Sequence, residues 1–189
     1  MGVDMAEKLF ELLDQNKLAQ IADCESTIPI IIQSFEEDAL TKFATLSDLP
    51  LIQLASYSST YDFAHVATYA HGVGPDSKYV MYDTKLDGES GQDPVTNDRS
   101  KFIDEMHGLD LAVHPYTLRD DQLHYRDTAY DETQLYVDKG IDGIFTEFPS
   151  ASFSLLQHMG SKASFPPSQE VDSTLNKYLK LAGHDYHLV

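Results

Sequence analysis

The chain has no tryptophan, a single cysteine and few basic residues for its 189-residue length. Cys24 has no second cysteine with which to form a disulfide inside the chain. The 13 Lys and Arg residues against 31 Asp and Glu give a formal net charge of −18, which disfavours binding to nucleic acids or anionic membranes. No apolar run has the length of about 20 residues that spans a bilayer. The first residues also lack the basic start and apolar stretch of a signal peptide.

Apolar segments that alternate with helical patterns predict an α/β fold. With 42% hydrophobic residues, the chain has enough apolar side chains for one sizeable domain. Right-handed crossovers make all the strands parallel, so the pattern fits either an open doubly wound sheet or part of a (β/α)8 barrel. No glycine-rich phosphate loop follows the first strand, so a dinucleotide-binding fold has no support. The five predicted strands are residues 28–33, 50–54, 72–75, 109–113 and 143–146.

Capping residues and apolar spacing predict the helices between these strands. Asp4 with Glu7, and Ser34 with Glu37, have capping-box spacing, and Gly140 is placed as a C-cap. We expect Met5, Leu9, Leu12 and Leu13 on the inner face of the first helix, and Phe153, Leu156 and Met159 inside a helix capped by Ser150. The predicted helices cover residues 4–13, 34–46, 60–70, 97–107 and 131–139, with a long loop at 76–96 and a short helix, 171–181, in the tail.

Several short motifs occur together in the order found in one enzyme family. The chain resembles the carboxyl-terminal part of glycerophosphodiester phosphodiesterases, in the branch with longer bacterial periplasmic and plant members. The likeness covers roughly residues 1 to 158, and it is specific because the pieces lie in register with the β/α steps. The matching segments are residues 2–6, 31–36, 50–54, 69–75, 113–117 and 140–146.

This resemblance implies a TIM barrel that hydrolyses glycerophosphodiesters to glycerol 3-phosphate and an alcohol. In the complete enzyme, Ca²⁺ or Mg²⁺ holds the phosphate, and two histidines act as general acid and base. The family's His-Arg-Gly strand end, its Glu-x-Asp pair, its second histidine and its Glu-x-Lys strand end have no counterpart in this sequence. Residues 1–160 therefore resemble barrel strands four to eight, an incomplete barrel, followed by a tail at 161–189. Glu147 stands where the family usually has aspartate.

Because those catalytic parts are missing, we expect this chain to hold no catalytic residue, bind no metal and show no turnover alone. The alternative is a non-catalytic truncated paralogue that acts as a binding or regulatory partner. A barrel phosphodiesterase acting on intact phospholipid is disfavoured by the acidic charge. The expected partner is a small glycerophosphodiester, and an open barrel edge makes self-association a further expectation.

The resemblance implies that five residues at the strand ends bind substrate: Gln33, Phe35, Tyr116, Arg119 and Thr146. Phe35 would form an apolar wall, Gln33 would form a hydrogen bond, and Tyr116 would flank the alcohol, where an aromatic face suits a choline head group.

Each polar candidate also has a structural alternative. Arg119 can bind phosphate bidentately or pair with Asp120 or Asp121. His114 is interpreted as a buried structural histidine. No metal site is assigned to the remaining groups, because their spacing matches no known motif; these are Asp120, Asp121, Asp142, Glu147, His184 and His187.

Overall fold

A computed structural model describes residues 4–24, 30–81 and 101–160 of the chain. None of the helices in these ranges is long and apolar enough to cross a membrane. The helices are Met5–Gln15 (α1), Ile21–Cys24 (α2), Glu37–Ala44 (α3), Phe63–Val66 (α4), Ser77–Met81 (α5), Phe102–Gly108 (α6), Ala129–Asp138 (α7) and Pro149–Gly160 (α8). The strands are Ile32–Ser34 (β1), Leu51–Ala55 (β2), Gly72–Pro75 (β3) and Ala112–Val113 (β4).

The four strands form one parallel sheet in the order β1-β2-β3-β4, as the alternation of strands and helices predicts. The predicted fifth strand is reduced to a single parallel bridge between Leu118 and Thr146. Hydrogen bonds from Leu118 to the Phe145 carbonyl (2.8 Å) and from Phe145 to the Pro115 carbonyl (3.0 Å) still align this segment with β4. The segment therefore extends the sheet in the expected direction without forming a regular ladder.

The apolar cores lie on the helical side of this sheet. One core surrounds Val73 and Val113 beneath α4 to α8, and a second core joins Leu51 to α1 and α3. On the opposite face, Ile52 and Ala112 are fully buried and form a small cluster with Ile31.

The start of α1 is confirmed, but its predicted inner face is wrong in part. The Asp4 carboxylate accepts a hydrogen bond from the Glu7 backbone N–H at 3.1 Å. Ala6 is the buried residue of α1, and Leu9 and Leu13 pack beside it. Met5 and Leu12 are 71% and 58% exposed, because α1 turns Ala6 rather than these two residues toward α3.

Ser34 does not cap α3, contrary to the sequence prediction. The Ser34 hydroxyl accepts a hydrogen bond from the Glu36 N–H at 2.9 Å, which fixes the turn after β1. The N-cap position belongs to Glu36, two residues later, and Leu40 and Phe43 form the buried face of α3.

The helix predicted over residues 60–70 is much shorter in the structure. Only Phe63–Val66 is helical, capped by the Asp62 carboxylate, and the chain then turns toward β3. The Tyr61 hydroxyl accepts the Ser56 N–H at 3.2 Å, which holds the preceding residues in a loop.

The segment between β3 and β4 is only partly described. Ser77–Met81 is helical although the sequence predicts a loop there, and the rest of the predicted loop lies outside the described residues. Helix α6 ends within one residue of its prediction, and Phe102, Ile103 and Met106 are its buried residues; the predicted start at residue 97 lies outside the described residues.

Helix α7 ends as the sequence predicts, whereas helix α8 begins earlier than predicted. Gly140 follows α7 with φ +88°, the left-handed conformation predicted for a C-cap glycine. Helix α8 already begins at Pro149, so Ser150 lies inside it and is not its cap. Leu156 is buried as expected, whereas Phe153 is 45% exposed. The predicted helix 171–181, His184 and His187 lie outside the described residues.

Candidate functional site

One face of the sheet points away from the helices, and the strand register shows which residues lie side by side on it. Gln33 lies beside Ile52, Ile52 beside Gly72, and Gly72 beside Ala112. A Cβ atom on Gly72 would lie 2.7 Å from Ile52 Cδ1 and 2.8 Å from the Ala112 carbonyl oxygen, so glycine allows the strands to pack here. Gln33 is exposed on this face at the outermost strand.

Two of the predicted site residues, Phe35 and Tyr116, meet at the carboxyl end of the sheet. Their ring centroids are 5.8 Å apart, with the planes at 83°. Phe35 is 50% exposed, and the Tyr116 hydroxyl donates to the Ala55 carbonyl at 3.2 Å. Burial, with a smaller effect from the Asp76 carboxylate, raises the pKa of Tyr116 to about 12, so its hydroxyl stays protonated at neutral pH. This edge-to-face pair offers an apolar surface with one neutral hydroxyl beside it.

Arg119 lies at the same end of the sheet, but two carboxylates contact its guanidinium group. Nε and Nη2 donate to the two carboxylate oxygens of Asp121, each at 3.0 Å. Nη1 lies 3.3 Å from Oε1 of Glu147. The structure thus contains the ion pair with a neighbouring aspartate that was the alternative to phosphate binding.

The hydroxyl of Thr146 is used at the start of α8. It accepts the Phe148 N–H at 3.0 Å and shares a hydrogen bond of 2.9 Å with the buried Ser152 hydroxyl. The structure therefore groups Thr146 with the helix, while Phe35 and Tyr116 group with each other.

His114 is fully buried, in line with its interpretation as a structural residue. Its ring stands 6.1 Å from that of Phe145, at an interplanar angle of 65°. A Cβ atom on Gly143 would lie 2.8 Å from His114 Nε2, so the imidazole fits only because position 143 is glycine.

Sequence reasoning missed Phe145 and Asp76, which also lie at the carboxyl end of the sheet. Alternation along the last strand, with Gly143, Phe145 and Glu147 at every second position, was the available signal for Phe145. Asp76 directly follows β3, forms a parallel bridge with Tyr116 and accepts the Lys78 N–H at 3.0 Å.

The acidic residues of the described ranges do not converge. No group of three or more His, Cys, Asp or Glu side chains in those ranges could hold a metal ion. The Asp142 carboxylate instead has a structural role. It accepts hydrogen bonds from the Val113 backbone N–H and from the His107 imidazole, both at 2.8 Å.

A cavity of about 380 Å³ opens at the opposite, amino-terminal end of β3 and β4. Its most chemically active side chain is His71, whose Nδ1 accepts the Leu51 N–H at 3.2 Å and whose pKa is lowered by burial. Because parallel α/β folds place their sites at the carboxyl ends of strands, we take the Phe35–Tyr116 end as the candidate site.

Comparison with known proteins identifies the family to which these features belong. Residues 3–151 match the model of the glycerophosphoryl diester phosphodiesterase family. Glycerophosphodiester phosphodiesterase GDPD6 of Arabidopsis thaliana is 26% identical over 165 residues, which cover 75% of this chain and 40% of that protein. The glycerophosphodiester phosphodiesterase of Haemophilus influenzae is 26% identical over 187 residues, which cover 82% of this chain and 48% of that protein.

A solved structure of a similar enzyme shares the fold of this chain. The crystal structure of a glycerophosphodiester phosphodiesterase from Parabacteroides distasonis superimposes with a TM-score of 0.55 at 16% identity, covering 83% of this chain and 52% of that one. This chain thus spans about half the length of the relatives it matches. The parallel α/β sheet and the match over residues 3–151 together show that the chain belongs to the glycerophosphoryl diester phosphodiesterase family, whose fold is a TIM barrel.

Proposed function

We propose that this chain contributes barrel strands four to eight to a metal-dependent glycerophosphodiester phosphodiesterase. The reaction would split a glycerophosphodiester into glycerol 3-phosphate and an alcohol such as choline or ethanolamine. The family match over residues 3–151 is the observation that carries this proposal.

The described residues do not fit the family's metal ion, since no three potential ligands converge. We therefore assign the metal to parts of the enzyme outside the described residues, and the general acid and base to the family's histidine motifs that have no counterpart in this sequence. Under this division, Ca²⁺ or Mg²⁺ belongs to the complete enzyme, and this chain shapes the pocket.

The Phe35–Tyr116 pair is the part of the pocket for which the geometry offers most support. Its half-exposed phenyl ring and edge-to-face tyrosine present apolar surface of the kind that contacts a quaternary ammonium group. Gln33, exposed on the same sheet face, would form a hydrogen bond with the substrate.

Arg119 and Thr146 are the weaker candidates. Arg119 would reach the phosphate only by exchanging its bond with Asp121 or Glu147, and Thr146 only by releasing α8.

The first experiment asks whether the chain is active by itself. Purified chain, supplied with glycerophosphocholine and either CaCl₂ or MgCl₂, is expected to release no choline above the buffer background. Metal-dependent release at the rates typical of enzymes, roughly 1 to 10³ per second, would contradict the assignment of the catalytic groups to other residues.

The second experiment tests the proposed reaction. Residues 3–151 replace the matched segment in the bacterial relative, and the chimera is assayed for choline and glycerol 3-phosphate. We expect turnover, and we expect Phe35→Ala to raise KM for glycerophosphocholine by about tenfold, the effect of roughly 1.4 kcal/mol of lost binding. Glu105→Gln, on the exposed face of α6, is the matched control and should leave KM unchanged. A folded but inactive chimera would count against the function, and an unchanged KM against the aromatic pair.

A further inference from the structure

Asp76 lies beside Tyr116 on the sheet face that points away from the helices. Gly72 pairs with Ala112 in the register of β3 and β4, and residues an even number of positions apart on a strand share a face. The ladder continues beyond both strands, because the Tyr116 N–H donates to the Pro75 carbonyl at 2.9 Å and a parallel bridge joins Asp76 to Tyr116. Both side chains therefore stand on this face, at the carboxyl end of the sheet.

Strand β3 presents no other side chain on this face. The two preceding positions on the same side are Gly72 and Gly74, so Asp76 is the first residue there with a side chain. Asp76 is partly exposed, and its charge is one of the causes that raise the pKa of Tyr116, which places the carboxylate within electrostatic reach of that ring. Since the Tyr116 ring contacts Phe35, a carboxylate and a half-exposed aromatic pair lie together at this end of the sheet.

The carboxylate of Asp76 forms no ion pair with any basic residue in the described ranges. The guanidinium group of Arg119 is held by two other carboxylates. Lys78, two residues along the chain, lies instead with its Nζ 5.7 Å from the centroid of the Tyr57 ring. The candidate site therefore carries a negative charge that is open to a cation from the substrate.

We propose that Asp76 selects substrates whose alcohol carries a positive charge. The proposal rests on the proposed function, and it assigns a preference among glycerophosphodiesters to one residue. An ammonium group would pack on the Phe35–Tyr116 pair with the carboxylate as its counter-charge, because aromatic faces and negative charge both attract such a cation. An uncharged alcohol such as glycerol would gain only the apolar contact.

A divalent metal ion is the other cation that this carboxylate could attract. Such ions take six or more oxygen ligands, and aromatic rings supply none. The described ranges also bring no three potential ligands together. The surroundings of Asp76 therefore favour an organic cation.

A structural role of Asp76 decides which substitution tests the charge. Its Oδ1 accepts the Lys78 N–H at 3.0 Å, at the beginning of α5. Asparagine keeps an oxygen for this hydrogen bond and removes the charge, so Asp76→Asn separates substrate selection from folding.

Ligand binding to the intact chain tests the proposal without any turnover. Choline, and the uncharged analogue in which a carbon atom replaces the nitrogen, are titrated separately and followed by NMR of the backbone amides. We expect choline to shift the amides of residues 76 and 116 saturably and to bind at least about fivefold more tightly than the analogue. Asp76→Asn should remove this preference and Asp76→Glu should retain most of it, while Asp104→Asn, exposed on α6, should leave it unchanged.

Two results of these titrations would overturn the proposal. One is a preference for choline that is absent from the wild type or survives Asp76→Asn. The other is a saturable shift of the residue 76 amide by CaCl₂ that prevents choline from binding, which would make Asp76 a metal ligand.

The chimera with the bacterial relative separates this inference from the proposed function. In an active chimera, Asp76→Asn should lower kcat/KM for glycerophosphocholine about five- to tenfold and change it less than about twofold for glycerophosphoglycerol. Equal losses for both substrates would overturn selection by Asp76 and leave the proposed reaction standing. An inactive chimera, with a choline preference of the chain that depends on Asp76, would count against the reaction and support the ammonium site.

Discussion

His114 and Gly143 form a tight packing contact on the sheet face that carries the candidate site. The imidazole is fully buried, and the space it occupies is the space that a side chain at position 143 would need. Glycines in the neighbouring strand β3 also make room for side chains on this face, since a Cβ on Gly74 would lie 2.6 Å from Leu54 Cδ2. The His114 ring therefore fits because its neighbour Gly143 has no side chain.

Gly143→Ala should lower the free energy of unfolding by about 1–3 kcal/mol, the usual effect of overpacking a rigid interior. The added methyl group would lie within 3.0 Å of three imidazole atoms, and the ring is fully buried. Urea unfolding, followed by circular dichroism, measures the change.

Gly108→Ala is the matched control, because a Cβ there meets nothing within 4 Å. It lies at the end of α6, where alanine is expected to stabilise the helix by up to about 1 kcal/mol. Equal destabilisation by both substitutions would mean that contact with His114 is not the cause.

Local hydrogen-bonding patterns were readable from the sequence, but the direction of individual side chains was not. Asp4 and Gly140 act over three or four residues, so their capping roles follow from spacing alone. Met5, Leu12 and Phe153 have the spacing of buried residues, yet their exposure depends on which neighbouring helix is present. The hydroxyls of Ser34 and Thr146 each had two partners within reach, and only the backbone path decides between them.

The loop between β4 and α7 is held by one buried carboxylate on the helix that follows it. Oε2 of Glu132, which is 4% exposed, accepts the backbone N–H groups of His124, Tyr125 and Arg126 at 2.9, 2.8 and 3.2 Å. This role could not be predicted from the sequence, because a glutamate in the first turn of a helix is ordinarily a solvent-exposed residue.

Glu132→Gln should loosen this loop, since an amide presents one oxygen and no charge to three donors. We expect a loss of about 1–3 kcal/mol in unfolding free energy. Amide hydrogen exchange should quicken at residues 124–126 and stay unchanged in β2. Glu105→Gln, which is exposed on α6, should change stability by less than about 0.5 kcal/mol. Undisturbed exchange at residues 124–126 would show that the carboxylate does not hold the loop.

A second connection between elements joins α6 to the end of the sheet through His107 and Asp142. The hydrogen bond from His107 Nε2 to Asp142 is 2.8 Å long, and this carboxylate raises the pKa of His107 despite partial burial. Its stabilising effect is therefore complete below the ordinary histidine pKa of about 6.5, and it declines as pH rises through the higher value of the folded state.

His107→Gln should remove this dependence on pH. We expect the wild type to be more stable than the variant by about 1 kcal/mol below pH 6.5, and the difference to shrink as pH rises above that value. Urea unfolding at a series of pH values gives the difference, which cancels the contributions of the other histidines. A gap that widens with rising pH would contradict the charged pair.

The order of the elements and the direction of the strands were predictable from the sequence, whereas the regularity of strand pairing was not. The β-branched and apolar runs located β1 to β4 within a few residues, because parallel strands covered by helices need continuous apolar sequence. The last segment met the same criterion, yet it forms one bridge. Its neighbour β4 is only two residues long, so little regular ladder is available to pair with.

At the scale of the whole molecule, the balance of charge dominates. Thirty-one acidic residues are present, but those in the described ranges do not gather into a metal site. Their main effect on the folded chain should be mutual repulsion, which disfavours the compact state.

Thermal unfolding in NaCl and CaCl₂ at equal ionic strength separates repulsion from metal binding. Raising NaCl from about 10 to about 200 mM should increase the melting temperature by a few degrees, because screening reduces repulsion among the acidic side chains. Replacing NaCl with CaCl₂ or MgCl₂ should add no saturable increase. A tightly bound ion at a hundredfold excess over its dissociation constant would add about 2.7 kcal/mol to the unfolding free energy, a shift of several degrees. A saturable rise of that size would show that this chain binds a metal ion and therefore contributes to the family's metal site.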